Sequence, residues 1–193
     1  PALFIQADAF GIAASKGFID VLKKHNIDDI AQLRYQRNTS NIEKAIAYFK
    51  REKPDIIFCV GTYEPLSELI NSLRAAGIDS TITTLSFAGA EPLYDRLHSY
   101  NDVYITTVVE NPITSSLAIV KEYRKAIGNN LPNHQSLEGY INAAAFVKII
   151  SQVKGPLTQE KFIKAAESKA IDLKGLRLSF TDAKHQAMEK TIL

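Results

Sequence analysis

DIIFCVGTYEPLSELINSLRAAG, residues 55–77, ends a buried strand at a small-residue turn and begins a helix. Ile56, Ile57, Phe58, Cys59 and Val60 run without a polar break, as a strand covered on both faces must. Gly61 and Thr62 stop that run, and Leu66, Leu69, Ile70 and Leu73 then recur at helical spacing until Gly77. Open α/β sheets hold their ligands beyond the carboxyl ends of their strands, which is where Tyr63 falls. The turn lacks the glycine spacing that cradles a pyrophosphate, so the candidate contact is an aromatic ring with a hydroxyl. The pattern points to recognition of a small solute rather than to chemistry.

Working toward the amino end, the same alternation recurs. The sequence predicts a strand over Ala2 to Gln6, a helix from Phe10 to His25, a strand over Ile30 to Tyr35 and a helix reaching Lys53, where Pro54 ends it. Ser40 with Glu43 has the spacing of a capping box for that second helix. Further strands are expected at Ser80 to Leu85 and Asp102 to Val108, around a short helix from Pro92 to Leu97. After Val109 the winding changes, because two helical patterns follow with no strand between them. Ser136 is placed to cap the second, and Tyr140, Ala144, Val147 and Ile150 form an apolar stripe on it. A third helix opens at Thr158, and Leu176, Leu178 and Phe180 alternate as a strand before a last extended piece, Met188 to Leu193.

Composition narrows the classes. The 193 residues suffice for one substantial core or two small ones. Lys and Arg number 23 against 21 Asp and Glu, with no basic cluster interleaved by aromatics, which argues against nucleic acid. No apolar run is long enough to span a bilayer, and PALFIQ lacks the basic start and cleavage site of an export signal. Cys59, the only cysteine, falls inside the apolar strand as a small hydrophobe. His25, His98, His134 and His185 have no metal-binding spacing, and no nucleophile elbow, phosphate loop or HExxH is present. Neither an enzyme nor a cofactor is expected.

The wording of several segments resembles the second half of type 1 periplasmic solute-binding proteins, in the leucine/isoleucine/valine-binding branch of ABC-transporter components. FIQADAFGIAASKGFIDVLKK is similar to that family's strand, aspartate-aromatic-glycine turn and helix, and PDIIFCVGTYEPLSELINSLRAAGI to its second ligand-side turn. LSFAGAEPL, VYITTVVENP, SLEGYINAAAFVKII and DLKGLRLSFTDAKHQ follow in the family's order, so the likeness covers nearly the whole chain. It implies one parallel-sheet, Rossmann-like lobe of a two-lobed α/β protein, with the first part of the amino-terminal lobe absent. Residues 1–108 and 176–193 would form the second lobe, and 109–175 a hinge crossing and helices returning to the first. It further implies an exported periplasmic or extracellular protein whose signal lies upstream. Such a protein closes on a small-molecule solute and delivers it to a membrane permease, without spanning the membrane itself.

Three loops should face the ligand. In Gln6 to Gly11, Asp8 belongs to the family turn, and Phe10 takes the position where relatives present a tyrosine. In Gly61 to Tyr63, Thr62 flanks the residue that resembles the family's ligand tyrosine, Tyr63. In Leu85 to Gly89, Ser86 and Phe87 stand nearest to the acidic residue of branched-chain amino-acid binders, and neither carries a charge. That departure leaves an aromatic or less polar solute fitting as well as an amino acid. Two other readings share the fold: the sensing ectodomain of a receptor, and a small Rossmann-like enzyme.

Overall fold

All five residues of Ala2–Gln6 (β1) are buried, and partner strands flank them on both sides. The computed structural model describes residues 1–39, 41–188 and 190–193, and divides into two units: Pro1–Thr106 with Leu193, and Thr107–Ile192.

In the first unit β1 is joined by Ala31–Tyr35 (β2), Ile56–Val60 (β3), Thr81–Leu85 (β4) and Val103–Thr106 (β5). All pair in parallel, in the order β2-β1-β3-β4-β5. Ala9–Lys24 (α1) carries the chain from β1 outward to β2. Glu43–Glu52 (α2), Tyr63–Ala75 (α3) and Ala90–Tyr94 (α4) carry it the other way. Right-handed crossovers that run in opposite directions place their helices on opposite faces. The packing agrees: Ala14, Phe18 and Ile19 of α1 cover Leu3, Ile5, Phe58 and Val60, with Phe18 stacked on Phe58 at 4.5 Å. Phe49, Leu66, Leu69, Ile70 and Leu73 of α2 and α3 close over Phe4, Ile57, Cys59 and Ile82 on the other side. The apolar stripe expected on α3 is therefore wholly buried.

Some local expectations shift. The short helix begins at Ala90 rather than Pro92, and β5 ends at Thr106. Helix α2 starts at Glu43 after Ile42, with no side-chain cap; the proposed cap, Ser40, lies outside the described residues.

The second unit contains Ala118–Ala126 (α5), His134–Ile150 (α6), Gln159–Ser168 (α7) and a hairpin of Ile171–Leu173 (β6) with Leu176–Leu178 (β7). Strand β6 is too short to announce itself in the sequence. Its turn, Lys174-Gly175, has positive φ at both residues, 54° and 97°, the geometry of a type I′ hairpin. Residues 176–192 thus cluster with the helices before them. Thr107 and Ile192 exchange backbone hydrogen bonds of 2.7 and 2.9 Å.

Asn133, not Ser136, caps α6: its extended backbone lets the side chain accept the Ser136 N–H at 2.8 Å. The fully buried Tyr123 accepts the Asn133 N–H at 3.0 Å, which ties α5 to the start of α6. The buried face of α6 is Leu137, Ile141, Ala145 and Ile149, one residue round from the predicted stripe, and Val147 is 59% exposed. Because α6 is apolar on nearly every side, periodicity alone could not choose its inner face.

Gly61 is fixed by close approach. A Cβ there would lie 1.7 Å from Tyr35 Oη and 3.2 Å from Leu66 Cδ1. Gly61→Ala should cost about 1–3 kcal/mol through overpacking. Tyr35→Phe in the same chain should recover part of that loss. Equilibrium urea unfolding of the two variants checks both; no loss in Gly61→Ala would mean that the turn can shift freely.

Candidate functional site

The order β2-β1-β3-β4-β5 reverses direction between β1 and β3, and crevices in open α/β sheets form at the carboxyl end of such a switch. The turns after β1, β3 and β4 all reach that edge.

After β1, Gln6 is buried and Asp8 is the N-cap of α1, accepting the Gly11 N–H at 3.0 Å on Oδ1. The Gln6 side-chain amide donates to Asp8 Oδ2. The Gly11 amide first, and Gln6 next, hold the Asp8 carboxyl below the usual carboxylate range, with a further pull from Arg37. Gly11 admits the helix end close to the strand, since a Cβ there would come 2.0 Å from the Gln6 carbonyl oxygen. This turn leaves Phe10, in the first turn of α1, 36% exposed.

After β3, Thr62 is the exposed N-cap of α3, with extended backbone, and Tyr63 is the helix's first residue. The Tyr63 ring is half-buried against the core face built by α2 and α3. The Arg96 guanidinium lies over it at 5.0 Å from the centroid. Partial burial pushes the neighbouring Glu64 carboxyl up. Hydrogen bonding by its own amide and by the Tyr63 and Thr62 side chains outweighs that and leaves it lowered, helped by Arg96. Beneath the turn, Tyr35 is buried with its hydroxyl lacking a partner at normal hydrogen-bond geometry. Burial pushes its pKa up to about 12, against a smaller downward pull from the Thr62 amide.

After β4, Ser86–Ala88 forms a single 3-10 turn that holds Ser86 half-buried and Phe87 54% exposed. The Phe87 ring meets Phe10 at 4.3 Å between centroids, tilted by 43°. Strands β1 and β4 stand on either side of β3, so the two rings close over its carboxyl end, where Gly61 and Thr62 keep the turn small.

The predicted site residues therefore fall into two groups. Phe10 and Phe87 are brought into contact, with Asp8 and Ser86 beside them in sequence. Thr62 and Tyr63 join Glu64 and Arg96 in a polar knot at the start of α3. Arg96 has no sequence signal; it reaches Tyr63 because the Asn71 side chain accepts the His98 N–H at 3.0 Å and donates to the Arg96 carbonyl at 2.9 Å, fixing the turn after α4. Among the described residues no group of His, Cys, Asp and Glu could hold a metal, and no helix is long and apolar enough to cross a membrane.

A larger hollow, about 510 Å³, lies within the second unit, lined by Val109, Leu117, Ile141, Leu176, Met188 and Ile192, with Glu110 and Lys190 at its rim 3.3 Å apart. Its lining also carries Arg177, Ser179, Thr181, Lys184 and Gln186.

The periplasmic binding protein family matches residues 2–193, and the chain belongs to that family. A crystal structure described as a possible leucine/isoleucine/valine-binding protein from Rhodopirellula baltica SH 1 is 31% identical, with a TM-score of 0.90 over 98% of this chain and 55% of that one. A substrate-binding periplasmic protein from Ralstonia solanacearum is 24% identical, with a TM-score of 0.82 over 98% and 56%. A leucine-binding protein from Thermotoga maritima shares the fold at 14% identity, with a TM-score of 0.82 over 98% and 55%. The chain thus spans about half the length of these relatives. No curated protein matches it.

Asp8 gives a pH test of the first turn. Its folded pKa lies below the unfolded value of about 3.9, so its contribution is fully present above that value and is lost as pH falls through the lowered one. Asp8→Asn keeps an acceptor for Gly11 but no charge. It should be less stable than the parent at neutral pH, and the gap should narrow as pH falls below about 3.9 through the lowered pKa, because only the parent loses the charge contribution there, read from urea midpoints between pH 7 and 2. An equal loss in both proteins would show that the carboxylate adds nothing to the cap.

Proposed function

We propose that this chain is part of the solute-binding component of an ABC transporter, holding a small organic molecule, an amino acid or a related or aromatic compound, and catalysing no reaction. The observation that carries the reading is the Phe10–Phe87 contact, which puts two exposed rings side by side at the carboxyl edge of the sheet. Exposed aromatic surface beside a few fixed polar groups is the usual lining of a small-molecule site. The family adds that its members bind solutes, and the similar crystal structures carry that description in their names.

In this reading the first unit is one wall of a cleft, and the second wall belongs to another lobe. Residues 109–175 return to that lobe, and the segment that ends at Ile192 leads the chain back. Helix α6 supports the assignment: apolar nearly all round, it leaves Phe146 and Val147 exposed, which a helix at home in a finished core does not do. The hollow bordered by Val109, Leu117 and Ile141 is, on this view, the seat of further elements of that lobe rather than a solute site. Solute touching both walls stabilises the closed form by its extra contacts there, so closure signals occupancy to a permease. Export to the periplasm follows from the same role.

Two measurements test the reading. The solute that co-purifies with the complete protein, identified by mass spectrometry, should bind this 193-residue chain roughly a hundredfold (about 2.8 kcal/mol) more weakly by calorimetry. Equal affinity would remove the two-walled site. Val147→Asp should change the stability of this chain alone by no more than about 0.5 kcal/mol, as an exposed substitution does. In the complete protein it should cost several kcal/mol, because the charge would be buried without a partner. A harmless Val147→Asp in both would place α6 outside any second core.

A further inference from the structure

We propose, resting on the solute-binding reading above, that the solute meets this wall with an aromatic or aliphatic body and no ammonium group. It is an aryl- or alkyl-substituted carboxylate or neutral analogue rather than an α-amino acid. Three features of the carboxyl edge combine to give this. The first is its apolar surface: Phe10 and Phe87 contact each other yet keep ring area open to solvent, a platform on which a flat or branched apolar group loses water.

The second is the state of the carboxylates. A buried ammonium needs an anionic or multiply accepting partner, and without one its desolvation is uncompensated. Asp8 has one oxygen on the Gly11 amide and the other on the Gln6 side chain, and both bonds are part of the cap that starts α1. Glu64, in the first turn of α3, has its charged form favoured against burial by its own amide, the Tyr63 and Thr62 side chains and the charge of Arg96. Glu91, in the first turn of α4, has one carboxylate oxygen fully buried. An ammonium drawn to Asp8 must break the bonds that cap α1, and the buried Glu91 oxygen cannot meet a solute without rearrangement.

The third is what occupies the exposed position after β4. Ser86 and Phe87 offer a hydroxyl and a ring, and the 3-10 turn points the ring, rather than a charge, at Phe10. Arg96, which lies over the ring of Tyr63, adds a field that opposes a second cation and tolerates an anion.

The test uses the complete protein and a matched set: phenylalanine, 3-phenylpropanoate, 3-phenylpropanamide, leucine and 4-methylpentanoate, titrated by calorimetry. The deaminated compounds should bind at least roughly tenfold tighter than their amino-acid counterparts. Phe87→Ala should weaken 3-phenylpropanoate roughly ten- to a hundredfold while leaving the melting temperature of the empty protein within about a degree, since the ring is half exposed. Phe10→Leu, which keeps an apolar side chain in the first turn of α1, should weaken the same ligand without unfolding the helix. Phenylalanine or leucine binding as tightly as the deaminated partner would overturn the inference and leave the solute-binding reading standing. So would an α-amino acid found as the co-purified solute. Failure of the whole set to bind also overturns the inference. In that case a co-purified solute of any other class keeps the solute-binding reading, and the absence of any solute from protein isolated without denaturation removes it too.

Discussion

The central position of β1 governs the first unit. With β2 on one side and β3 on the other, its backbone is satisfied within the sheet and both faces must be covered by side chains. The chain leaves β1 in one direction and returns from β2 past it in the other, so α1 and the later helices are forced onto opposite faces. The turns at the carboxyl ends of β1 and β3 consequently part, and the edge between them is open. Gly11 and Gly61 are the two places where backbone must pass close to a neighbour for this to work, against the Gln6 carbonyl and the Tyr35 hydroxyl.

That open edge is divided in its chemistry. On the side of α1 it is apolar and exposed, with two phenylalanine rings meeting over the end of β3. On the side of α3 it is polar, with Thr62, Tyr63 and Glu64 opening the helix and Arg96 lying over the Tyr63 ring. The Asp8 carboxylate has both oxygens engaged, by the Gly11 amide and the Gln6 side chain, and these hold its pKa down. Under the proposed function, such an edge would select by shape and apolar contact.

The second unit presents the opposite condition, a surplus of apolar surface. Its hairpin, α5 and α7 bury one face of α6 and leave another bare, while a hollow with both apolar and charged lining remains beside β7. The chain belongs to the periplasmic binding protein family and spans about half the length of its relatives, and the proposed function reads that surplus as a face for further elements of a second lobe.

Much of this was legible in the residues themselves. Ile57 to Val60 reads as a doubly covered strand because no polar residue interrupts it, and Leu66, Leu69, Ile70 and Leu73 lie on one helical face because their spacing permits nothing else. From such patterns the parallel sheet and its helices follow, while the family likeness rests on the wording of six segments in one order. Tertiary structure alone decided the rest. Phe10 meets Phe87 only because strands distant in sequence are aligned at one edge. Tyr63 turns to Arg96 because the Asn71 clamp presents that arginine, and Asn133 displaces Ser136 as a cap because Tyr123 holds it. The face that α6 buries was undetermined for a related reason: a helix apolar on nearly all sides takes its inner face from its neighbours, and local periodicity carries no record of them.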